Sequence, residues 1–317
     1  MELYSACVNC VMGNLLHIAG KSMSSEEEKI LFLGEFISRI TPEIKTSSCA
    51  PRLTGIGCSL LREMTGINDP FKDIKHEFNR LMLTIEEATQ EMIDTMDDPL
   101  ESALVAAGAA NLIDFGAFRE VCPEKIVKVL HEYIETMRLD MSVYRTFLNM
   151  LDRHRSLLIM SDNCGEIVID KILIRQLKKV FPDIEITCAF REIPVLNDAT
   201  MDDAVEVGLD KLCNVVSSGS HTPGYINFEA KEGFREFYSK SPLILSKGVG
   251  NFEGAEFEDP RNFFLFIVKC DNFSEKLDVP LNTLVFQQGR SSLLKDDNES
   301  NPYSENVRRF IAHSCSE

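Results

Sequence analysis

Four short stretches carry the residues best suited to chemistry. "SDNCGE" holds Asp162, Asn163, Gly165 and Glu166, and "NDAT" begins with Asn197 and Asp198. "SSGS" holds Gly219 and Ser220, and "SKGVGNFE" holds Lys247, Gly248, Gly250, Asn251 and Glu253. Hard cations such as Mg²⁺ or Mn²⁺ take oxygen ligands from carboxylates, amide carbonyls and bound phosphate. Asp162, Asn163 and Asp198 can supply three such oxygens. Lys247 adds a point charge for phosphate oxygens, and the glycines can expose backbone N–H groups.

Each stretch also has a plainer reading. An Asp-Asn pair before an amphipathic segment can be an N-cap, and so can Asn197-Asp198 before "ATMDDAVEV". "KGVGN" read by itself is a turn, and Glu253 a solvated side chain. What favours chemistry is that each stretch follows an apolar run.

Those runs are "SLLIM", "IEITCAF", "CNVVSS", "PLILS" and "FFLFIVK", all of buried-strand length and composition. Amphipathic segments such as "GEIVIDKILIRQLKKVF" and "FEAKEGFREFYSK" separate them. Strand and helix alternating in this way predict a mainly parallel sheet with helices on both faces. In an open sheet of that kind, ligands bind beyond the carboxyl ends of the strands, where the four stretches fall.

The residues before about position 150 read instead as helices. "SSEEEKILFLGEFISRI" has a capping serine and acids in its first turn; "DPLESALVAAGAANLIDF" and "CPEKIVKVLHEYIETM" place Pro at a helix start. "LTGIGCSLLREMTGI" and "FKDIKHEFNRLMLTIEEATQEMIDTM" carry helical apolar spacing. The expected fold class is α/β: an all-helical domain over 1–150, a three-layer α/β/α domain over 151–288, and a polar tail over 289–317.

Composition narrows the partners. Lys+Arg 33 against Asp+Glu 50 gives a net charge of -17, which disfavours nucleic acid and anionic membranes. No apolar stretch is long enough to span a bilayer, and the N-terminus lacks signal-peptide features, so a cytoplasmic location is expected. Ten cysteines are dispersed, and Cys7-Val8-Asn9-Cys10 alone has CxxC spacing, half of a zinc or redox signature. There is no GxGxxG, GxSxG or P-loop, and of the six histidines only His221 falls in a strand-end loop.

"SDNCGE", "NDAT" and "KGVGNFE" in this order resemble the family first called domain of unknown function 89, the metal-dependent damage-control phosphatases. "CVNC", "DDPLESALVAAGAANLIDFG" and "FIVKC" extend the resemblance over about residues 5–288, towards the archaeal and bacterial branch with an N-terminal CxxC. It implies that Asp162, Asn163 and Asp198 are metal ligands and that Glu166 and Lys247 face the substrate phosphate. Asn251 and Glu253 complete the last motif. Asn111 and Asp114 match an element through which the helical half reaches the cleft, with Ala110 in place of the usual glycine. Cys7, Cys10 and Cys270 match three family positions and are expected to meet in space, as a second metal site or as a packed thiol cluster.

The function expected is a phosphatase for small phosphorylated metabolites that uses one divalent ion: Mn, Mg, Co or Ni. Catalytic work is expected of Asp162, Glu166, Lys247 and Glu253, with Glu166 or Glu253 as the general base. The nucleophile is either water activated by the metal or Asp162 itself. Phosphate contacts are expected from Asn111, Asp114, Gly165, Asn197, Gly219, Lys247 and Asn251. The rival readings are methyl transfer from S-adenosylmethionine to carboxylates, as in a related eukaryotic branch, and metal or metabolite binding without turnover. Oligomeric state is left open.

Overall fold

The computed structural model describes residues 3–45, 48–112, 123–255 and 259–289. Among these, helices come first: α1 (Ser5–Ser22), α2 (Glu26–Ile40), α3 (Ala50–Thr65), α4 (Lys72–Asp94), α5 (Pro99–Ala109), α6 (Pro123–Thr136) and α7 (Met141–His154). Local chemistry sets several starts. Ser25 and Glu28 form a reciprocal capping box at α2, and Asp98 accepts from the amides of Leu100 and Glu101 at α5.

From β1 (Ser156–Met160) onwards strands and helices alternate: α8 (Glu166–Val180), β2 (Glu185–Phe190), α9 (Met201–Glu206), β3 (Asn214–Ser217), α10 (Glu232–Lys240) and β4 (Ile244–Lys247). The chain continues through α11 (Gly248–Gly254), β5 (Asn262–Ile267), α12 (Asp271–Leu277) and β6 (Leu284–Gln288). The strand order is β3-β2-β1-β4-β5-β6, parallel except for β6, which runs antiparallel on β5. The expected α/β class with a mainly parallel sheet is what the protein adopts.

Alternation along each strand divides the core between two faces. Leu157 and Ile159 of β1, Phe263 and Leu265 of β5, and Phe286 of β6 join α4–α8 in one large apolar cluster. Their neighbours Leu158, Met160 and Ile244 pack on Tyr225, Phe234 and Tyr238, and Phe264 and Phe266 pack on Phe252 and Phe273. The large cluster runs across position 150, so α4–α7 share their core with the sheet. Helices α1–α3 form a separate cluster around Phe32, Phe36 and Leu53.

The order reverses between β1 and β4, which are neighbours although β2 and β3 intervene in sequence. At such a switch point the following loops diverge to opposite faces and leave a crevice at the carboxyl ends. The residues after Met160, and Lys247 itself, lie at these carboxyl ends. No helix among the described residues is long and apolar enough to cross a membrane.

Candidate active site

The capping interpretations fail in the structure. The N-cap of α8 is Gly165 and receives no side-chain cap, and the Gly165 N–H is taken by Asn79 Oδ1 of α4 at 2.7 Å. At α9 the cap is Thr200, in a reciprocal box with Asp203. Asp162 and Asp198 therefore do no capping, although both are buried. Taking carboxylates out of water without such use is costly.

Backbone pairing brings the two acids together. Asn163 and Asp198 form an isolated antiparallel bridge. The Ala199 N–H donates to the Asp162 carbonyl at 2.8 Å, and the Cys164 N–H to the Asn197 carbonyl at 2.9 Å. The loop after β1 is thus tied to the loop after β2. Asn197, expected on a phosphate, contributes its backbone to this pairing.

Around them lies a dense polar network. Asn111, delivered from the helical part just after α5, donates through Nδ2 to Asp162 Oδ2 at 2.8 Å and to Glu166 Oε2 at 3.0 Å. Asn163 Nδ2 lies 2.7 Å from the same Asp162 oxygen. Lys247 Nζ donates to Glu166 Oε1 at 2.6 Å and also to Asp170. Gly248 has φ +79, and a Cβ built there would meet Asp162 Oδ2 at 1.9 Å, so only glycine leaves room for this carboxylate.

Charge accumulates unevenly. Burial, then the charges of Glu166 and Asp198, push Asp162 well above the usual carboxylate range. Asp198 is also raised by burial, against the opposing pull of Arg191. Asp170 is pushed up to about 6 by burial, although Lys247 opposes it. Burial works against the Lys247 ammonium, but Asp170 and Glu166 outweigh it and hold its pKa above the ordinary lysine value.

Several expected residues are placed elsewhere. Gly165 gives its N–H to Asn79 and has none to offer a phosphate. Gly219 donates to Ser217 Oγ at 3.1 Å and packs against Lys231. Asn251 is committed to the protein: its Nδ2 donates to the carbonyls of Lys247 (2.6 Å), Met160 and Ser161 (each 3.2 Å), and its Oδ1 accepts from the Tyr225 N–H at 2.8 Å. Asp114 lies outside the described residues.

Glu253 lies on α11 beyond Asn251. It lines a cavity with Cys7, Cys49 and Asn272. Burial pushes its carboxyl up to about 7. The Asn272 amide donates to Cys7 Sγ at 3.7 Å. The thiols of Cys10, Cys49 and Cys270 are raised first by burial and further by the Glu253 charge. Cys7 lines this cavity together with Cys49, which the sequence did not single out. Among the described residues, no three His, Cys, Asp or Glu side chains form a ready metal-holding group.

Sequence reasoning passed over Arg191 and Asp170. Arg191 directly follows β2, and its Nε donates to Asp198 Oδ2 at 2.8 Å. Asp170 lies one turn beyond Glu166 on the largely apolar buried face of α8, and that spacing was the available signal.

For a divalent ion, the fitting donors are Asp162, Asp198 and the Asn163 amide. The two carboxylates are hard oxygen donors on paired loops, with buried negative charge that a cation would compensate. Asn163 directs its Nδ2 at Asp162 and Glu166 and would offer its amide oxygen only after the amide turns over.

The family model described as the damage-control phosphatase ARMT1-like domain matches residues 3–285. A damage-control phosphatase of Pyrococcus horikoshii is 28% identical over 304 residues, covering 92% of this chain and 100% of its own length. One from Archaeoglobus fulgidus is 23% identical over 303 residues, covering 90% of this chain and 98% of its own. The crystal structure of a DUF89 family protein from Pyrococcus horikoshii matches with a TM-score of 0.81 at 25% identity, over 91% of this chain and 99% of that one. Helical part and sheet alike fall within the matched span, and the chain belongs to the damage-control phosphatase ARMT1-like domain family.

Proposed function

We propose that this protein is a metal-dependent phosphatase acting on small phosphorylated metabolites, with Asp162, Asn163 and Asp198 holding one divalent ion, Mn, Mg, Co or Ni. The observation that carries this reading is the pairing of two buried, non-capping acidic loops, the ones after β1 and β2, at the carboxyl ends of the sheet. The names of the Pyrococcus and Archaeoglobus relatives support the reaction class. Bound there, the ion supplies positive charge for the phosphoryl oxygens and acidifies water.

The chain's own groups divide the remaining work. Lys247 uses two of its three N–H donors on Glu166 and Asp170, and the third is for a phosphate oxygen. Glu166, pinned by Lys247, Asn111 and Asn163, is the carboxylate placed to accept a proton next to Asp162. The bare Gly248 backbone keeps the Asp162 carboxylate against the end of β4.

The test is phosphate release from a panel of sugar and nucleotide phosphates, each with Mg²⁺, Mn²⁺, Co²⁺ or Ni²⁺. Wild type releases phosphate with at least one ion, and a folded Asp162→Ala variant releases none. Turnover by Asp162→Ala at the wild-type rate would end the site assignment. No release by wild type, together with tight calorimetric binding of S-adenosylmethionine, would favour methyl transfer.

A further inference from the structure

Among the described residues, Arg191 is the largest fully buried side chain, with a side-chain exposure of 0%. A guanidinium has five N–H donors and cannot shed its charge, so burying one is tolerable only when partners surround it. Here the match is incomplete. Nε donates to Asp198 Oδ2 at 2.8 Å and Nη2 to Asn251 Oδ1 at 3.3 Å, while Nη1 is buried with no partner. A buried ion pair of this kind is weak evidence for stability, since replacing both partners with well-packed apolar residues is often neutral or stabilising.

What Arg191 does achieve is a connection. Asn251 is clamped to the carbonyls that end β1 and β4, those of Met160, Ser161 and Lys247. Arg191 links this clamp to Asp198, which lies on the loop after β2. The Gly224 N–H donates to the same Asp198 oxygen, Oδ2, at 3.4 Å. Two donors thus fix Oδ2 and the plane of the carboxylate, and among the described residues none of the hydrogen bonds falls on Oδ1. A ligand carboxylate is oriented in just this way when an outer partner holds one oxygen and leaves the other for the ion.

We infer that Arg191 is a positioning residue, which holds Asp198 by Oδ2 and ties it through Asn251 to the ends of β1 and β4, so that Oδ1 is presented to the divalent ion. This rests on the metal-site reading above. Lysine cannot replace it, since one ammonium on a flexible stem lacks the planar fork that spans Asp198 and Asn251.

The measurement is calorimetric titration of the full chain with Mn²⁺ alone, for wild type, Arg191→Lys and Asp198→Asn. Phosphate release is followed in parallel at saturating Mn²⁺. Arg191→Lys is expected to bind Mn²⁺ about 10- to 100-fold more weakly than wild type. At saturating Mn²⁺ its kcat falls while KM for an aryl phosphate stays within twofold. Mn²⁺ affinity equal to wild type in Arg191→Lys, with Asp198→Asn clearly weakened, would overturn the role of Arg191 alone. If wild type binds no Mn²⁺, or Asp198→Asn binds it unchanged, the metal-site reading fails and this inference with it. Should Arg191→Lys not fold, Asn251→Ser removes the second anchor and keeps the guanidinium. It is expected to weaken Mn²⁺ in the same direction, and an unchanged affinity would again overturn the inference.

Discussion

Lys247 Nζ lies 2.6 Å from Glu166 Oε1, with side-chain exposures of 0% and 2%, and the same ammonium also pairs with Asp170. Two carboxylates share one cation in a region closed to water. Removing one member of such a group leaves the others buried without compensation, at a cost of about 3–5 kcal/mol. Lys247→Met is therefore expected to lose that much in urea unfolding, and adding Asp170→Asn should restore part of it. A Lys247→Met protein as stable as wild type would show that the network adds nothing to the fold.

Gly248 separates the two contributions a glycine can make. Replacing it with Ala forces a Cβ into Asp162 Oδ2 and leaves a residue with φ +79 in the left-handed region. The backbone part costs about 1–2 kcal/mol. Gly208 has nearly the same φ, +74, but a Cβ there meets only Lys211 side-chain atoms at 3.9 Å. Gly248→Ala and Gly208→Ala should thus be destabilised by similar backbone terms, while only Gly248→Ala loses phosphate release. Equal activity in the two variants would mean that Asp162 tolerates displacement.

How far the sequence foretold this arrangement depends on whether the cause was local. Five apolar runs matched β1 to β5 because buried parallel strands need continuous apolar residues. The edge strand β6, "LVFQQ", escaped because half of it is polar and its pairing with β5 is antiparallel. The strand-end rule pointed to Asp162, Asn163, Asp198 and Lys247, which the sheet places at the carboxyl ends of β1, β2 and β4. It could not reveal that Asn79, 86 residues before Gly165, takes the N–H which local capping would have claimed. Asp170's link to Lys247 and Arg191's link to Asn251 likewise span 77 and 60 residues, although Arg191's bond to Asp198 spans only seven. Glu253 was expected among the site residues, and the structure also places it beside the thiols. It shares α11 with Asn251, and residues two apart on a helix do not face the same way, so Asn251 holds the rim while Glu253 meets the thiols.

That placement makes Glu253 a reporter of its own. Its carboxyl titrates at about 7 in the folded protein against 4.5 ordinarily, because burial disfavours the charged form. Between those two values the folded state holds a proton that the unfolded state has released. Stability therefore falls as pH rises through this window and levels off above it. Asp162, Asp170 and Asp198 are raised as well and slope in the same direction, so wild type alone cannot isolate one group. The difference between wild type and Glu253→Gln can. The two should melt together near pH 5, with Glu253→Gln the more stable by pH 8, in thermal unfolding followed at intervals across that range. Parallel curves would mean that Glu253 titrates in the folded protein as it does in the unfolded chain, and that its place among Cys7, Cys49 and Asn272 is open to water.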